Sequence, residues 1–535
     1  MSKAHFLWVD DEIDLLKPHI LFLKEKGYNT VCATNGHDAI EMCKSNNYNI
    51  VFLDEHMPGL SGLETLVLLK KISPHVPVVM ITKSEDEGIM NQAIGRKISD
   101  YLIKPVNPNQ MLITIKKILE KTKLVHETTL NNYREEYNNL NREIADCHSV
   151  SDWKRLYTKL VSWEIELEQS NPTLREMVEN QKNEANISFA KLVRKNYYTW
   201  INKDGAQTKS QSASQTTQQS TIKPEYPVMS CDLFEESVLP IIDKGEKLYF
   251  ILIDNFRLDQ WEIVKDIIGE LFDFNEDLYF SILPTATPYS RNSVFSGLMP
   301  NQISKKYPNL WVDETEDRGK NEHEEELIQS LLSRLKQDIP FSYHKLNTNS
   351  EAERVIDRIN ELDKNILNVM VFNFIDMLSH AGTESKTIRE LASDDSAYRS
   401  LTRTWFSHSP INKLLIKIAE SGSRVILTSD HGSIRVKKGL KIKGDSETNS
   451  NLRYKLGRSL AYDPKTVFDI IHPQKYGLPV PNISTRYIFA QNKDFFLYPN
   501  NYNHFLNIFE DSYQHGGISM EEMMVPLITL KPKKN

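Results

Sequence analysis

At 535 residues, with 40% apolar and 26% charged side chains, the chain is too long for one ordinary core and has the composition of a globular protein of several domains. Its formal charge of −7, from 72 acidic and 65 basic residues, excludes a global attraction to nucleic acid or to an anionic membrane, leaving only local basic patches. No apolar run reaches the length of a membrane span, so membrane insertion is not expected. The four cysteines, Cys32, Cys43, Cys147 and Cys231, have no metal-ligand or redox spacing. The N-terminus leads directly into a strand without a secretory signal, so a cytoplasmic protein is expected.

Residues 1–122 alternate short strands, at Phe6–Val9, Thr30–Ala33, Ile50–Leu53, Val78–Ile81 and Tyr101–Ile103, with amphipathic helices. That alternation predicts a doubly wound parallel α/β sheet whose strand ends meet at one edge. Asp10-Asp11, Asp54, Thr82 and Lys104-Pro105 all follow strands. Three carboxylates at one edge make an oxygen-rich Mg²⁺ site, and the lysine ammonium can neutralise an incoming phosphoryl group. The stretch resembles the receiver domain of two-component response regulators, and Asp54-Glu55-His56-Met57-Pro58-Gly59 looks like that family's phosphoacceptor loop. The resemblance implies phosphorylation of Asp54 and Mg²⁺ held by Asp10, Asp11, Asp54 and the backbone carbonyl of His56. It also implies switch positions at Thr82 and Tyr101, a phosphate contact from Lys104, and dimerisation through the fourth and fifth receiver helices. A cis peptide before Pro105 is plausible.

Residues 123–203 read as about three helices, with breaks near Asp146–Ser151 and at Asn171-Pro172. Their aromatic stripe, including Trp153, Tyr157, Phe189, Tyr197 and Trp200, is expected to form a bundle core. No DNA-reading signature follows the receiver, so direct binding of duplex DNA is not expected. Residues 204–223 are rich in Gln, Ser and Thr and are expected to form a flexible tether.

From residue 224 a second α/β pattern begins and runs to residue 535. Lys247–Ile253 is a strand ending at Asp254. Asn368–Ile375 is another, ending at Asp376 with His380 four residues on. Arg424–Leu427 leads to Asp430-His431, and His515 precedes a last strand, Met524–Leu530. Aspartates and histidines at the carboxyl ends of strands suit a divalent metal of borderline softness. A further strand, Tyr279–Leu283, is followed by Thr287-Pro288, which matches a helix N-cap with Pro at the first helical position. That would turn the Thr287 hydroxyl outward beside a positive helix end, fit to attack phosphorus, with Thr285 as the rival nucleophile. Arg257 is a candidate for contacting a phosphate oxygen. The basic stretch from Arg435 to Arg458 places positive charge near this chemistry, and Lys305–Asn349 and Gly382–Ser409 look like insertions able to cap the cleft.

The motifs Asp254-Asn255-Phe256-Arg257, Thr287-Pro288, Asp376-Met377-Leu378-Ser379-His380, Asp430-His431-Gly432 and His515-Gly516-Gly517 resemble the alkaline phosphatase superfamily, more narrowly its PglZ branch. The resemblance implies a zinc pair, with one ion on Asp254, Thr287, Asp430 and His431 and the other on Asp376, His380 and His515. Threonine at 287 speaks against a formylglycine sulfatase and resembles the superfamily's nucleotide phosphodiesterases. A receiver joined through a helical bundle to such a domain resembles the response regulators associated with type IX secretion in Bacteroidetes. That resemblance implies a sensor histidine kinase, a secretion motor component and an extracytoplasmic-function sigma factor as partners, a homodimer on phosphorylation, and phosphodiesterase activity on nucleotides or oligonucleotides. The alternatives are an interaction module with a structural metal site, and a phosphomonoesterase.

Overall fold

The computed structural model describes residues 4–73, 76–83, 98–168, 170, 172–203, 225–313, 319–445 and 448–533. The expected tether, 204–223, lies outside the described residues, as does most of the stretch between Thr82 and Tyr101 that would hold the fourth receiver helix. The chain divides into two compact units, Met1–Arg134 and Glu135–Asn535.

In the first unit five strands, β1 (His5–Val9), β2 (Asn29–Ala33), β3 (Ile50–Asp54), β4 (Val78–Thr82) and β5 (Asp100–Ile103), form a parallel sheet in the order β2-β1-β3-β4-β5. Strand side chains alternate between the two faces. Leu7, Val9, Val51, Leu53 and Met80 accordingly pack on one side, against Ala39 and Ile40 in the helix Gly36–Ser45 and Leu66 and Leu69 in the helix Gly62–Ile72. Phe6, Trp8, Phe52, Val79 and Ile81 pack on the other, with Leu23 of the helix Lys17–Glu25 and Met111 and Ile115 of the helix Pro108–Asp146. Burial on both faces explains why these strands are continuous apolar runs.

 The four helices named here are, in chain order, α1 (Lys17–Glu25), α2 (Gly36–Ser45), α3 (Gly62–Ile72) and α4 (Pro108–Asp146). Helix α3 starts at a capping box, in which the Ser61 hydroxyl accepts from the Glu64 N–H and the Glu64 carboxylate accepts from the Ser61 N–H.

In the second unit, α5 (Val150–Glu166) and α6 (Pro172–Ile201) carry the aromatic stripe. Its residues do more than fill a bundle. Trp153 packs edge-on against Phe189, and both Phe189 and Trp200 lie against Phe280 in the output sheet. That sheet has six strands, β6 (Leu248–Ile253), β7 (Phe272–Phe280), β8 (Phe341–Leu346), β9 (Leu367–Phe372), β10 (Arg424–Thr428) and β11 (Met524–Pro532), in the order β7-β11-β10-β6-β9-β8. Strands β8, β9, β6 and β10 are parallel, and β11 runs antiparallel to both its neighbours. Central β6 reads Leu-Tyr-Phe-Ile-Leu-Ile, and all six residues are buried.

The structure corrects several expectations. The strand predicted at Asn368–Ile375 ends at Phe372, and Asp376 and His380 lie on the next helix, Phe374–Glu384. The strand predicted at Tyr279–Leu283 is the end of a longer one, which stops at Phe280 where its pairing with β11 stops. Lys305–Asn349 is not a mere insertion: it supplies the helix Glu324–Arg334 and edge strand β8 of the main sheet, while Asn321, Lys345 and Asn347 within it line the cleft that holds Thr287. Half of Gly382–Ser409 forms the helix Asp395–His408, whose buried Thr402 and Arg399 bond to Gln260 and Asp259 of the helix Leu258–Ile268. Among the described residues no helix is long and apolar enough to cross a membrane.

Ile251 is fully buried at the centre of the sheet, between Leu427 and Met370. Ile251→Ala removes packed apolar volume that the strands cannot close over, and is expected to cost about 2–5 kcal/mol. Denaturant unfolding should show a lower midpoint for the output-domain transition at unchanged slope.

Candidate active site

In the first unit, Asp10 follows β1, Asp54 ends β3, Thr82 ends β4 and Lys104 follows β5, so parallel pairing brings all four to one edge. Ligand oxygens of Asp10, Asp11 and Asp54 lie within 4.8 Å of one another. The Lys104 ammonium lies 2.8 Å from Asp10 and 3.0 Å from Asp54. Burial raises the Asp54 carboxyl above its ordinary range, against the opposing pull of Lys104. Asp54 Oδ1 is buried without a hydrogen-bond partner, which a cation at this edge would supply. Thr82 is buried, while Tyr101 is 36% exposed and His56 lies exposed in the loop after β3. The Lys104–Pro105 peptide is cis.

In the second unit the register pairs Leu252 with Thr428 and Ile253 with Phe372, so β6, β10 and β9 end level with one another. Asp254 therefore sits beside Asp430 and His431, with ligand atoms all within 4.8 Å, and Asp376, His380 and His515 form a second such group. The His431 and His515 rings stack with centroids 4.3 Å apart, joining the two groups. Asp376 and His380 are four residues apart on one helix, so both face the cleft.

Thr287 is the first residue of the helix Thr287–Ser296, and its N-cap is Ala286, not Thr287 as the sequence predicts. Its hydroxyl makes no cap and lies 3.0 Å from His431 Nε2 and 3.5 Å from Asp254 Oδ1. Thr285 is fully buried and committed: its hydroxyl donates to the Gly517 carbonyl and accepts from the Gly516 N–H.

The histidine tautomers follow from their neighbours. His431 Nδ1 lies 3.2 Å from the Gly432 carbonyl, and His515 Nδ1 lies 3.2 Å from the Thr285 carbonyl. A carbonyl only accepts, so Nδ1 carries the proton in both rings and Nε2 presents a lone pair. Those lone pairs face carboxylates, His431 Nε2 at 3.7 Å from Asp254 and His515 Nε2 at 3.6 Å from Asp376. Acceptors facing acceptors in a buried site call for cations between them, and this donor set of oxygens and neutral imidazoles fits divalent metals. The electrostatics agree. Burial, helped by His431, pushes the His515 imidazole down to about 3, and burial lowers His431 too. Burial pushes the Asp254 carboxyl up to about 8 despite Arg291. Burial would also raise Asp376, but chiefly its hydrogen bond to His380 holds it below the ordinary carboxylate range.

Several residues around this site carried no signal by spacing. Arg291, one helical turn after Thr287, is 1% exposed and bridges Asp254, Asp430 and Glu324, with its Nε 3.0 Å from Asp430. Asn255 adopts a left-handed φ of 63° and donates to Asp376 and Ser379, each at 3.2 Å. In α6, Asn186 donates to the Glu521 carboxylate at 2.9 Å and accepts from the Met520 N–H at 2.8 Å. The turn it pins supports both histidine loops, because the Glu522 carbonyl accepts from the Gly432 N–H and the Glu522 carboxylate from the Gly517 N–H. A Cβ at Gly432 would fall 2.1 Å from the Glu521 carbonyl, so only glycine permits this approach.

Arg257 is not brought to the cleft. Its guanidinium is buried beside the stacked Tyr398 and Tyr513 rings and paired with Asp259 and Asp395. Four residues of the basic stretch are likewise committed elsewhere: Arg435 and Lys437 pair with Asp511, buried Arg453 with Glu522, and buried Lys455 donates to the Asn449 carbonyl. None of these four lines the cleft that holds Thr287.

Residues 233–530, more than half of the chain, match the family model described as the BREX system PglZ alkaline phosphatase-like domain. The chain belongs to the PglZ alkaline phosphatase-like family. Residues 6–116 match the response regulator receiver domain, and residues 123–201 match the PorX response regulator linker domain. A stretch of 123 residues is 32% identical to the uncharacterized transcriptional regulatory protein YkoG of Bacillus subtilis, covering 23% of this chain and 53% of that protein. Another of 124 residues is 35% identical to the transcriptional regulatory protein CpxR homolog of Haemophilus influenzae, covering 23% and 52%. The chain thus spans about half the length of these curated relatives, and less of others, such as 30% of PgtA of Salmonella typhimurium. Among solved structures, a receiver domain protein from Clostridium thermocellum is 29% identical, covers 23% of this chain and 98% of its own, and has a TM-score of 0.22. The chemotaxis protein CheY4 of Vibrio cholerae is 23% identical, covers 22% and 99%, and has a TM-score of 0.21.

A carboxyl raised to about 8 still holds its proton at neutral pH, so a metal ion binding at Asp254 must displace it. In the metal-free protein that raised value favours the fold at low pH, and the contribution is lost as pH rises through about 8. Metal affinity should run the other way and tighten between about pH 6 and pH 8. Titration calorimetry in buffers of different ionisation enthalpy should detect proton release, and His431→Ala should lower the bound metal measured by elemental analysis.

Proposed function

We propose that this chain is a two-component response regulator whose output domain is a metal-dependent phosphodiesterase acting on nucleotides or oligonucleotides, controlled by phosphorylation of Asp54. The observation that carries the reading is the convergence of two carboxylate–imidazole groups on the cleft that Thr287 lines, with its Oγ1 in contact with His431 and Asp254 of one of them. Asp254, Thr287, Asp430 and His431 would hold one ion, and Asp376, His380 and His515 the other. Zinc suits this nitrogen and oxygen set, and Mg²⁺ suits the carboxylates of the receiver. Bound there, the ions would lower the hydroxyl pKa and stabilise charge on the transferring phosphoryl group and its leaving oxygen.

The chain's own residues supply the rest. Thr287 is the nucleophile: its oxygen forms a bond to phosphorus as the ester bond to the leaving alcohol breaks, and water then hydrolyses the phosphothreonine. The hydroxyl proton has acceptors at 3.0 Å in His431 Nε2 and at 3.5 Å in Asp254 Oδ1. The helix that begins at Thr287 directs its positive end toward the phosphoryl oxygens. Commitment of the Thr285 hydroxyl to the His515 loop supports Thr287 over its rival.

On this reading residues 1–122 are the receiver, 123–203 the linking bundle, 204–223 a tether and 224–535 the phosphodiesterase. In the cytoplasm, a sensor histidine kinase phosphorylates Asp54, with Asp10, Asp11 and Lys104 around it, and Thr82 and Tyr101 transmit the change to dimerisation. The linker match over residues 123–201 supports a place in type IX secretion, with a motor component and an extracytoplasmic-function sigma factor as partners.

Zinc-loaded protein should hydrolyse a short oligonucleotide and a chromogenic phosphodiester. Thr287→Ala should lose about a thousandfold or more in turnover while keeping most of its metal. A beryllofluoride mimic at Asp54 should shift the sedimenting species from monomer to dimer. Absence of turnover by wild type on both substrates would sink the enzymatic reading.

A further inference from the structure

The cleft that holds Thr287 has a volume of about 440 Å³, and its lining includes two side chains with a permanent positive charge, Arg291 and Lys345. Arg291 is committed, since it is 1% exposed and bridges Asp254, Asp430 and Glu324. Lys345 is different. It stands near the carboxyl end of edge strand β8, and its side chain is 30% exposed. Its ammonium donates to the Asn321 carbonyl at 2.7 Å, and the Asn321 amide donates to the Thr287 carbonyl at 3.2 Å. One residue therefore separates this cation from the backbone of the nucleophile. Its ion-pair partner Glu324, at 3.2 Å, also takes Arg291 and the Tyr343 hydroxyl, so that carboxylate is shared among three donors. Two of the three ammonium donors are used, leaving one to face the cleft. Much of the remaining wall is uncharged amide, from Asn347, Asn373 and Asn451.

This arrangement separates two tasks. The carboxylate–imidazole groups serve the scissile phosphate, and the amide wall offers hydrogen bonds without charge. A second phosphate on the same substrate would meet one solvent-facing cation, and a lysine serves phosphate as a point charge. We propose that Lys345 is a specificity-determining residue that holds a phosphate next to the scissile one, so that the preferred substrate is a short oligonucleotide carrying several phosphates and not an isolated diester. The inference rests on the phosphodiesterase reading above and names its substrate class.

The test compares wild type, Lys345→Gln and Lys345→Arg on a 5′-phosphorylated thymidine trinucleotide and on bis(4-nitrophenyl) phosphate, with bound metal and thermal midpoint as controls for folding. Lys345→Gln should lose about tenfold more kcat/KM on the trinucleotide than on the chromogenic diester, mostly through KM, and Lys345→Arg should recover most of that difference. Equal losses on both substrates, or none, would overturn the proposal. In a non-cleaving Thr287→Ala background, fluorescence anisotropy with a labelled trinucleotide should show weaker binding for Lys345→Gln and a salt-dependence slope shallower by about one. If wild type hydrolyses neither substrate, the phosphodiesterase reading fails, and anisotropy decides Lys345 alone: unchanged affinity and slope overturn its role.

Discussion

Buried lone pairs that face one another are the constraint on which this output domain depends. Nε2 of His431 and of His515 and the carboxylates of Asp376 and Asp430 are acceptors, and Asp254 joins them once its proton leaves; Asp254, Asp430 and His431 are buried, and Asp376 and His515 are largely shielded. Each such contact is unfavourable unless positive charge lies between the partners. Arg291 supplies part of that charge from within the chain, on the side of Asp254 and Asp430. Its guanidinium does not reach Asp376 and His515 among the contacts described, and there a divalent ion is the natural complement. The protein thus holds a costly arrangement in place before any ligand arrives, as preorganised sites do.

Rigidity for that arrangement comes from several directions at once. The level ends of β6, β9 and β10 set the spacing of the loops, and hydroxyls tie the loops to one another. Ser429 accepts from the Phe256 N–H and donates to the His431 carbonyl, while Thr285 clamps the turn after His515. The linker helix α6 takes part as well. Through Asn186 it holds the turn at Met520–Met523, whose Glu522 supports the loops of both histidines. Phe189 and Trp200 of the same helix lie on Phe280 of the sheet, and half-buried Lys182 pairs with Glu521. The bundle is therefore a structural part of the output domain, and its aromatic stripe is legible only as half of that interface.

Much of this architecture could be read before any coordinates. Alternating apolar strands and amphipathic helices identified both α/β regions, because burial on two faces leaves a continuous apolar run in each strand. Acidic and imidazole residues just past those runs identified Asp254, Asp430, His431 and the receiver carboxylates. Misplacement of the strand predicted at Asn368–Ile375 has a physical cause. Phe374 and Ile375 extend the apolar run, but they open a helix, and a hydrophobic pattern cannot mark where strand pairing with β6 and β8 stops. Thr287 was placed one position early for a similar reason, since Thr-Pro satisfies the cap pattern while the backbone turns helical at Thr287 itself.

Composition and periodicity alone determined the order of domain types, the strand-end position of Asp254 and Asp430 and the presence of a hydroxyl at the start of a helix, because each is a local property of the chain. Only the tertiary structure decided which cation belongs to the cleft. By sequence Arg257 and the run from Arg435 to Arg458 were the nearer candidates, yet ion pairs with Asp259, Asp395, Asp511 and Glu522 hold Arg257, Arg435, Lys437 and Arg453 elsewhere. Arg291 and Lys345 were brought in by a helix turn and an edge strand instead. The reason is that a long cationic side chain goes to whichever buried carboxylate the fold sets within its reach, and that partner is a matter of three-dimensional packing that sequence distance does not encode.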